Sequence, residues 1–262
     1  MLKKRLIPVL LLQNGQLVRS QGFNIHQVIG NPIHEVERFN QWSVDELIYL
    51  DISRDDHHDL RRDDKKVRGL TTALEILAEV SKTCFMPLTW GGRIRSLEQM
   101  RAVFAAGADK ITLNTQAWRE PALVTEAARR FGSQAVVASI DARRHADGKL
   151  EVFVEGGREA TGQSPENWAK RLEDLGAGEI LLQSIDRDGA ARGYDLDLIH
   201  RVAEVTHIPV IALGGVGDYP HYAKGIEAGA SAVASANIWH FKELADRSGK
   251  RAMLRAGVAV RF

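Results

Sequence analysis

Residues 46–55 read ELIYLDISRD and residues 179–188 read EILLQSIDRD, with Glu, Ile, Arg and Asp recurring in register and apolar exchanges between them. Self-similarity at a fixed offset marks a duplicated unit. The same symmetry lays LIPVLL (6–11) over VVASID (136–141), so that Leu11 stands where its twin, Asp141, carries a carboxylate.

Outward from this pair, short apolar runs alternate with longer amphipathic ones. Strands are expected near 5–12, 46–52, 86–91, 109–114, 135–141, 179–185, 209–214 and 231–236. Their near-continuous apolar character suits strands covered on both faces. Between them, 70–82, 97–107, 121–132, 165–176 and 197–206 carry apolar residues at three-and-four spacing, which predicts helices. Gly107, Gly132 and Gly176 supply helix ends, and Pro121 and Pro165 supply first turns. A second echo runs from WGGRIRSLEQMRAVFAAGADKITLNTQAW (90–118) to LGGVGDYPHYAKGIEAGASAVASANIW (213–239). Alternating βα units predict a parallel sheet, and two halves of four units predict an α/β fold: a (β/α)8 TIM barrel built from two duplicated half-barrels, one domain over 1–262. A doubly wound open sheet is the alternative, but no GxGxxG follows the first strand.

Composition narrows the function. With 44% hydrophobic and 26% charged residues the chain can bury a large core. Its net charge of +1 and lack of a basic run argue against nucleic-acid binding, leaving small molecules and proteins as partners. A single cysteine, Cys84, excludes an internal disulfide and suits a reducing cytoplasm. Lys3, Lys4 and Arg5 before LIPVLLL mimic a secretory leader, but the apolar run holds Pro8 and ends in QNG with no cleavage site. No stretch reaches the ~18 apolar residues of a membrane helix.

In a (β/α)8 barrel the chemistry sits at the C-terminal strand ends. Four such places are rich in glycine or small polar groups: Gly91 with Gly92, Asn114 with Thr115, Asp188 with Gly189, and Gly214 with Gly215 and Gly217. Exposed backbone N–H groups at such turns cradle phosphate oxygens. The duplication sets the clusters on opposite sides of the mouth, which would suit a substrate phosphorylated at both ends. Asp141 ends the fifth strand, where a carboxylate can transfer protons. Asp51 and Asp186 lie near other strand ends, with side-chain alternation deciding whether they reach the mouth. The loop 53–69 packs His57 and His58 among Asp55, Asp56 and Asp59, but adjacent histidines at this spacing match no defined metal site. No metal or cofactor is called for.

The opposite end is unusual. Arg5, Glu46, Lys110 and Glu179 each fall at or next to a strand start, so two bases and two acids ring the floor. They would form either an ion-pair plug or a gate for something small moving along the axis.

RLIPVLLLQNGQLV, the DEL of the second strand, GGRIRSLEQ, GADKITLNT, GAGEILLQSIDRDGAARGYD and PVIALGGVGD together resemble the cyclase subunit of imidazole glycerol phosphate synthase, nearly end to end. That resemblance implies a duplicated barrel that takes ammonia from a separate glutaminase docked at the floor, passes it through the core and adds it to a bis-phosphorylated substrate. It implies an ammonia gate at Arg5, Glu46, Lys110 and Glu179. It implies one phosphate site at Gly92, Asn114 and Thr115, another at Asp188, Gly189, Gly214, Gly215 and Ala236, and a catalytic role for Asp141.

The departures carry information too. The family's first catalytic aspartate falls on Leu11, its first-loop lysine becomes Arg19, and Leu213 and Asn237 replace small or hydroxyl residues. Arg19 and Asn237 are retained as candidate substrate contacts. A general acid or base contributes about 100- to 10,000-fold in rate, and leucine transfers no proton. The LLL at 10–12 resembles a divergent branch from bacterial surface-polysaccharide pathways, which is thought to work with a glutaminase and a sugar amidotransferase to turn an acetamido into an acetamidino group. The expected function is therefore ammonia supply for such an amidination. The alternatives are a histidine-pathway cyclase and a non-catalytic scaffold that docks and activates a glutaminase.

Overall fold

The computed structural model describes residues 3–42, 44–54 and 70–262. In chain order its elements are β1 (Arg5–Gln13), β2 (Gln16–Gln21), β3 (Ile25–Gly30), α1 (His34–Gln41), β4 (Leu47–Asp51), α2 (Ala73–Thr83), β5 (Leu88–Gly91), α3 (Leu97–Ala105), β6 (Lys110–Leu113), α4 (Thr115–Arg119) and α5 (Ala122–Phe131). The second half follows with β7 (Val136–Arg144), β8 (Leu150–Val154), β9 (Glu159–Ala160), α6 (Pro165–Asp174), β10 (Glu179–Ser184), α7 (Leu196–Val205), β11 (Val210–Leu213), α8 (Pro220–Glu227), β12 (Ala232–Ser235), α9 (Ile238–Phe241) and α10 (Ala245–Arg255).

Eight strands pair in parallel in the cyclic order β1, β4, β5, β6, β7, β10, β11, β12 and back to β1. The fold is thus a closed (β/α)8 barrel, as the alternating pattern predicts. Each half departs from the barrel in the same way. β1 runs on into an antiparallel excursion through β2 and β3, and β7 runs on into one through β8 and β9. The periodicity reading leaves these strands out, as it does α1 and α10.

Strand alternation divides the apolar residues into two cores. Leu6, Leu10 and Leu12 belong to the large core that also holds Val36, Ile76 and Met100 of the surrounding helices. Ile7, Val9 and Leu11 belong to the smaller one, with Ile48, Val137, Leu181 and Ile211 from the other barrel strands. This inner core fills the barrel. Each fully buried aliphatic side chain in it contributes roughly 1.5–3 kcal/mol.

Local signals fix the helix positions. Thr72 and Glu75 form a reciprocal capping box on α2, and Ser96, Ser164 and Asp195 accept from backbone N–H groups at the starts of α3, α6 and α7. Gly107, Gly132 and Gly176 all take positive φ just beyond a helix, a conformation in which a side chain is strained. At the barrel floor the buried Lys250 ammonium of α10 lies 3.1 Å from Asp45 Oδ1, and Asp45 Oδ2 accepts from the Leu6 N–H at 2.8 Å. The last helix is thereby tied to the base of β1. No helix among the described residues is long and apolar enough to cross a membrane.

Candidate functional site

The floor is built from the first inward-facing position of three strands and the residue before a fourth. Arg5 Nη1 reaches Glu46 Oε1 at 2.6 Å and Glu179 Oε1 at 2.9 Å, while Lys110 Nζ lies 3.2 Å from Glu46 Oε2 and from Glu179 Oε2. The four charges close into one ring of alternating sign. Burial opposes the Arg5 charge, but Glu179 and Glu46 together hold its pKa above the ordinary value. Only side chains this close and this dry interact strongly enough to matter, since exposed pairs contribute little.

Above the ring the barrel interior is mostly aliphatic, with small polar groups on one side. Thr89, Thr112 and Gln183 are buried, and Thr112 Oγ1 has no hydrogen-bond partner among the described residues. Thr112, Ser139 and Gln183 also line the bottom of a mouth cavity of about 670 Å³ at the C-terminal strand ends.

Leu11, Asp141 and Asn114 line the same cavity. Asp141 is almost fully buried, and burial together with the nearby Asp188 charge pushes its carboxyl up to about 7. Asn114 Nδ2 donates to Asp141 Oδ2 at 3.2 Å and to the Ser139 carbonyl at 3.1 Å, which fixes the carboxyl's orientation. A group that is half protonated near neutrality can both give and take a proton. Its duplicate position offers none: Leu11 is 7% exposed and belongs to the inner apolar core.

Gly92 and Thr115 line the cavity beside Asn114. A Cβ on Gly92, at φ +101°, would lie 2.0 Å from the Asp51 carbonyl oxygen, so the turn after β5 requires glycine there. Asp51 lines the mouth as well, but its Oδ1 accepts from the Ser53 N–H and hydroxyl. Asp186 faces elsewhere, accepting from the Arg144 N–H at 2.7 Å.

The second cluster is packed against the β2–β3 hairpin. Ser20 Oγ donates to Asp188 Oδ2 at 2.6 Å, the Phe23 N–H donates to the same oxygen at 3.1 Å, and Asn237 Nδ2 donates to the Ser20 carbonyl at 2.9 Å. Burial raises the Asp188 pKa while these donors oppose it. Gly189 abuts the hairpin, where a Cβ would meet the Ser20 carbonyl at 2.5 Å. Gly214 and Gly215 approach the Ser184 and Gly193 carbonyls as closely as 2.9 and 2.2 Å from an added Cβ, and Ala236 packs on the inner core. Arg19 stands apart from the cavity lining, its Nε donating to Gln27 Oε1 at 2.8 Å and its guanidinium lying over Phe241.

Five arginines that sequence reasoning passes over, Arg54, Arg93, Arg95, Arg119 and Arg158, line the mouth. The signal for two of them is the RIR that directly follows Gly91 and Gly92. Together they give the rim a basic character suited to phosphate. His57, His58, Asp55, Asp56 and Asp59 lie outside the described residues, and among the described ones no group of three potential metal ligands gathers.

Comparison with known proteins agrees with this geometry. Residues 5–245 match the family described as histidine biosynthesis protein. The chain is 39% identical to imidazole glycerol phosphate synthase subunit HisF of Alkaliphilus metalliredigens (strain QYMF), over 262 residues that cover all of both proteins. A match of this extent, on a closed barrel with the mouth and floor just described, establishes the descent. The chain belongs to the histidine biosynthesis protein family and is HisF-like along its whole length.

Proposed function

We propose that this chain is the ammonia-using subunit of a glutamine-dependent synthase, with a glutaminase docked at the floor and a phosphorylated small molecule at the mouth. Ammonia would enter through Arg5, Glu46, Lys110 and Glu179 and rise past Thr112, whose unpartnered hydroxyl could give or accept a hydrogen bond on the way. Gly92, Asn114, Thr115 and the rim arginines, which line the mouth, would hold one phosphate group; Asp188, Gly189, Gly214, Gly215 and Ala236, which lie outside that lining, would hold another; and Asp141 would move protons at the reacting centre.

Within that reading, the ammonia serves amidination of a surface-polysaccharide sugar. The observation that carries this is Leu11: the mouth has Asp141 on one side and a buried aliphatic group at the twin position. Ring formation draws on two proton-transfer groups, whereas delivery of ammonia needs a path and one. Amidination forms a C–N bond from ammonia to the acetamido carbon, moves two protons off that nitrogen, and expels the carbonyl oxygen as water. Activation of that oxygen falls to a sugar amidotransferase partner.

A second reading is favoured by the full-length 39% identity to HisF: a cyclase of the histidine pathway with a rearranged acid–base pair. The two separate in one assay. Wild type and Leu11→Asp are supplied with ammonium salt and the cyclase substrate of the relative. Turnover only in Leu11→Asp supports amidination; robust wild-type turnover, lost in Asp141→Asn, overturns it in favour of the cyclase.

A further inference from the structure

A second cavity, of about 460 Å³, opens on the outer rim between the β10–α7 loop and α8. It shares no lining residue with the mouth. Its walls carry Arg144, Arg187, Arg192 and Lys224 against two carboxylates, Asp195 and Asp197. Those carboxylates are already engaged. Arg144 Nη2 lies 3.0 Å from Asp195 Oδ1 and 3.0 Å from Asp197 Oδ2, Asp195 also caps α7, and Asp197 also pairs with Arg201 at 3.0 Å. The side chains of Arg187, Arg192 and Lys224 have no hydrogen-bond or ion-pair partner among the described residues.

A polar donor completes the wall. His221 Nδ1 accepts from the Gly217 and Asp218 N–H groups at 3.2 and 3.3 Å, so the neutral ring carries its hydrogen on Nε2. That atom lies over Gly193, 3.4 Å from where a Cβ would stand. The surrounding loop is held rigid. The Gly193 N–H donates to the Gly215 carbonyl at 2.7 Å, and Gly217 abuts the Ala191 carbonyl so closely that a Cβ would fall 2.5 Å from it.

Like charges gathered along one concave wall repel one another unless an anion joins them. The volume falls within the range of small-molecule sites rather than that of a macromolecular surface. We infer that this rim cavity is an anion site separate from the mouth, taking a small molecule through a phosphate or diphosphate group. Arg187, Arg192 and Lys224 supply the positive charge and His221 Nε2 a directed hydrogen bond.

The test uses the full chain, inorganic pyrophosphate and histidine-labelled NMR, with the His221 resonance identified from His221→Gln. That resonance shifts saturably on titration. Because each hydrogen bond to a charged group is worth about one decade of affinity, Arg192→Ser and Lys224→Ser each weaken the response on the order of tenfold. Both residues are exposed, so unchanged melting curves accompany the loss. The response persists in Thr115→Val, which alters only the mouth. A His221 signal that stays still, that moves equally in the charge variants, or that is abolished by Thr115→Val overturns the inference.

Discussion

Arg5 and Lys110 stand on β1 and β6 and each binds the same two carboxylates, Glu46 and Glu179, so neither cation can be withdrawn without leaving both acids short of one partner. Lys110→Met leaves the buried Glu46 and the half-buried Glu179 sharing Arg5. Removing one partner of a buried ion pair costs about 3–5 kcal/mol, and the slight exposure of this ring sets the loss toward the lower end. The urea midpoint of the variant falls accordingly. Under the proposed function, glutamine-driven turnover falls further than turnover driven by added ammonium salt.

Asp141 makes stability depend on pH in the direction opposite to an ordinary ion-paired acid. Its folded pKa is raised from 3.8 to about 7, so between those values the native state binds the extra proton and stability declines as pH rises. Below about 4 the penalty is absent, and above about 7 it is complete. Asp141→Asn removes it while keeping an acceptor for Asn114. The variant's gain over wild type is therefore larger at pH 8 than at pH 4, on the order of 4 kcal/mol, read as paired melting temperatures.

Ser20→Ala removes the 2.6 Å hydrogen bond that ties the β2–β3 hairpin to Asp188. A hydrogen bond to a charged group contributes about 1.5–3 kcal/mol, so the hairpin opens more often and limited proteolysis near 22–24 accelerates while the barrel strands keep their amide protection. The Asp188 carboxyl, deprived of one donor, rises further above its ordinary pKa. Conservative Ser20→Thr keeps the hydroxyl and restores the wild-type cleavage rate.

Gly92→Ala sets a methyl group 2.0 Å from the Asp51 carbonyl in a backbone conformation that side chains avoid. The turn has to shift or the strands part, at a cost of about 3 kcal/mol or more. Gly148→Ala is the control. It also has positive φ but meets nothing within 4 Å, so its melting temperature drops by far less.

The barrel is legible because a strand buried on both faces leaves an unbroken apolar run, and eight such runs stand between helical patterns. The hairpins are not. β3 reads IHQVIG with exposed and half-buried positions only, and α10 reads ADRSGKRAMLR, whose buried face is only Ala245, Gly249 and Met253 beside the charged Asp246 and Lys250. The ring at the floor is visible in sequence because strand alternation turns Arg5, Glu46 and Glu179 to the same side as the inner-core residues Ile7, Ile48 and Leu181 two positions on. The rim arginines are not, since residues of irregular loops carry no period and only the fold decides which way they face. Arg19 shows the converse: position in the chain puts it near the mouth, but its neighbours Gln27 and Phe241 hold it aside.

Each ring residue shares a strand, or the approach to one, with a residue of the mouth: Arg5 with Leu11, Glu46 with Leu50, Lys110 with Asn114, and Glu179 with Gln183. Along β1 the separation is six residues, about 20 Å at the rise of an extended chain. An extended backbone scarcely stretches, so a strand that slides at one face must slide at the other. The floor ring and the mouth are thus held apart by four struts of fixed length, which set the distance between the charged base of the barrel and the cavity at its top.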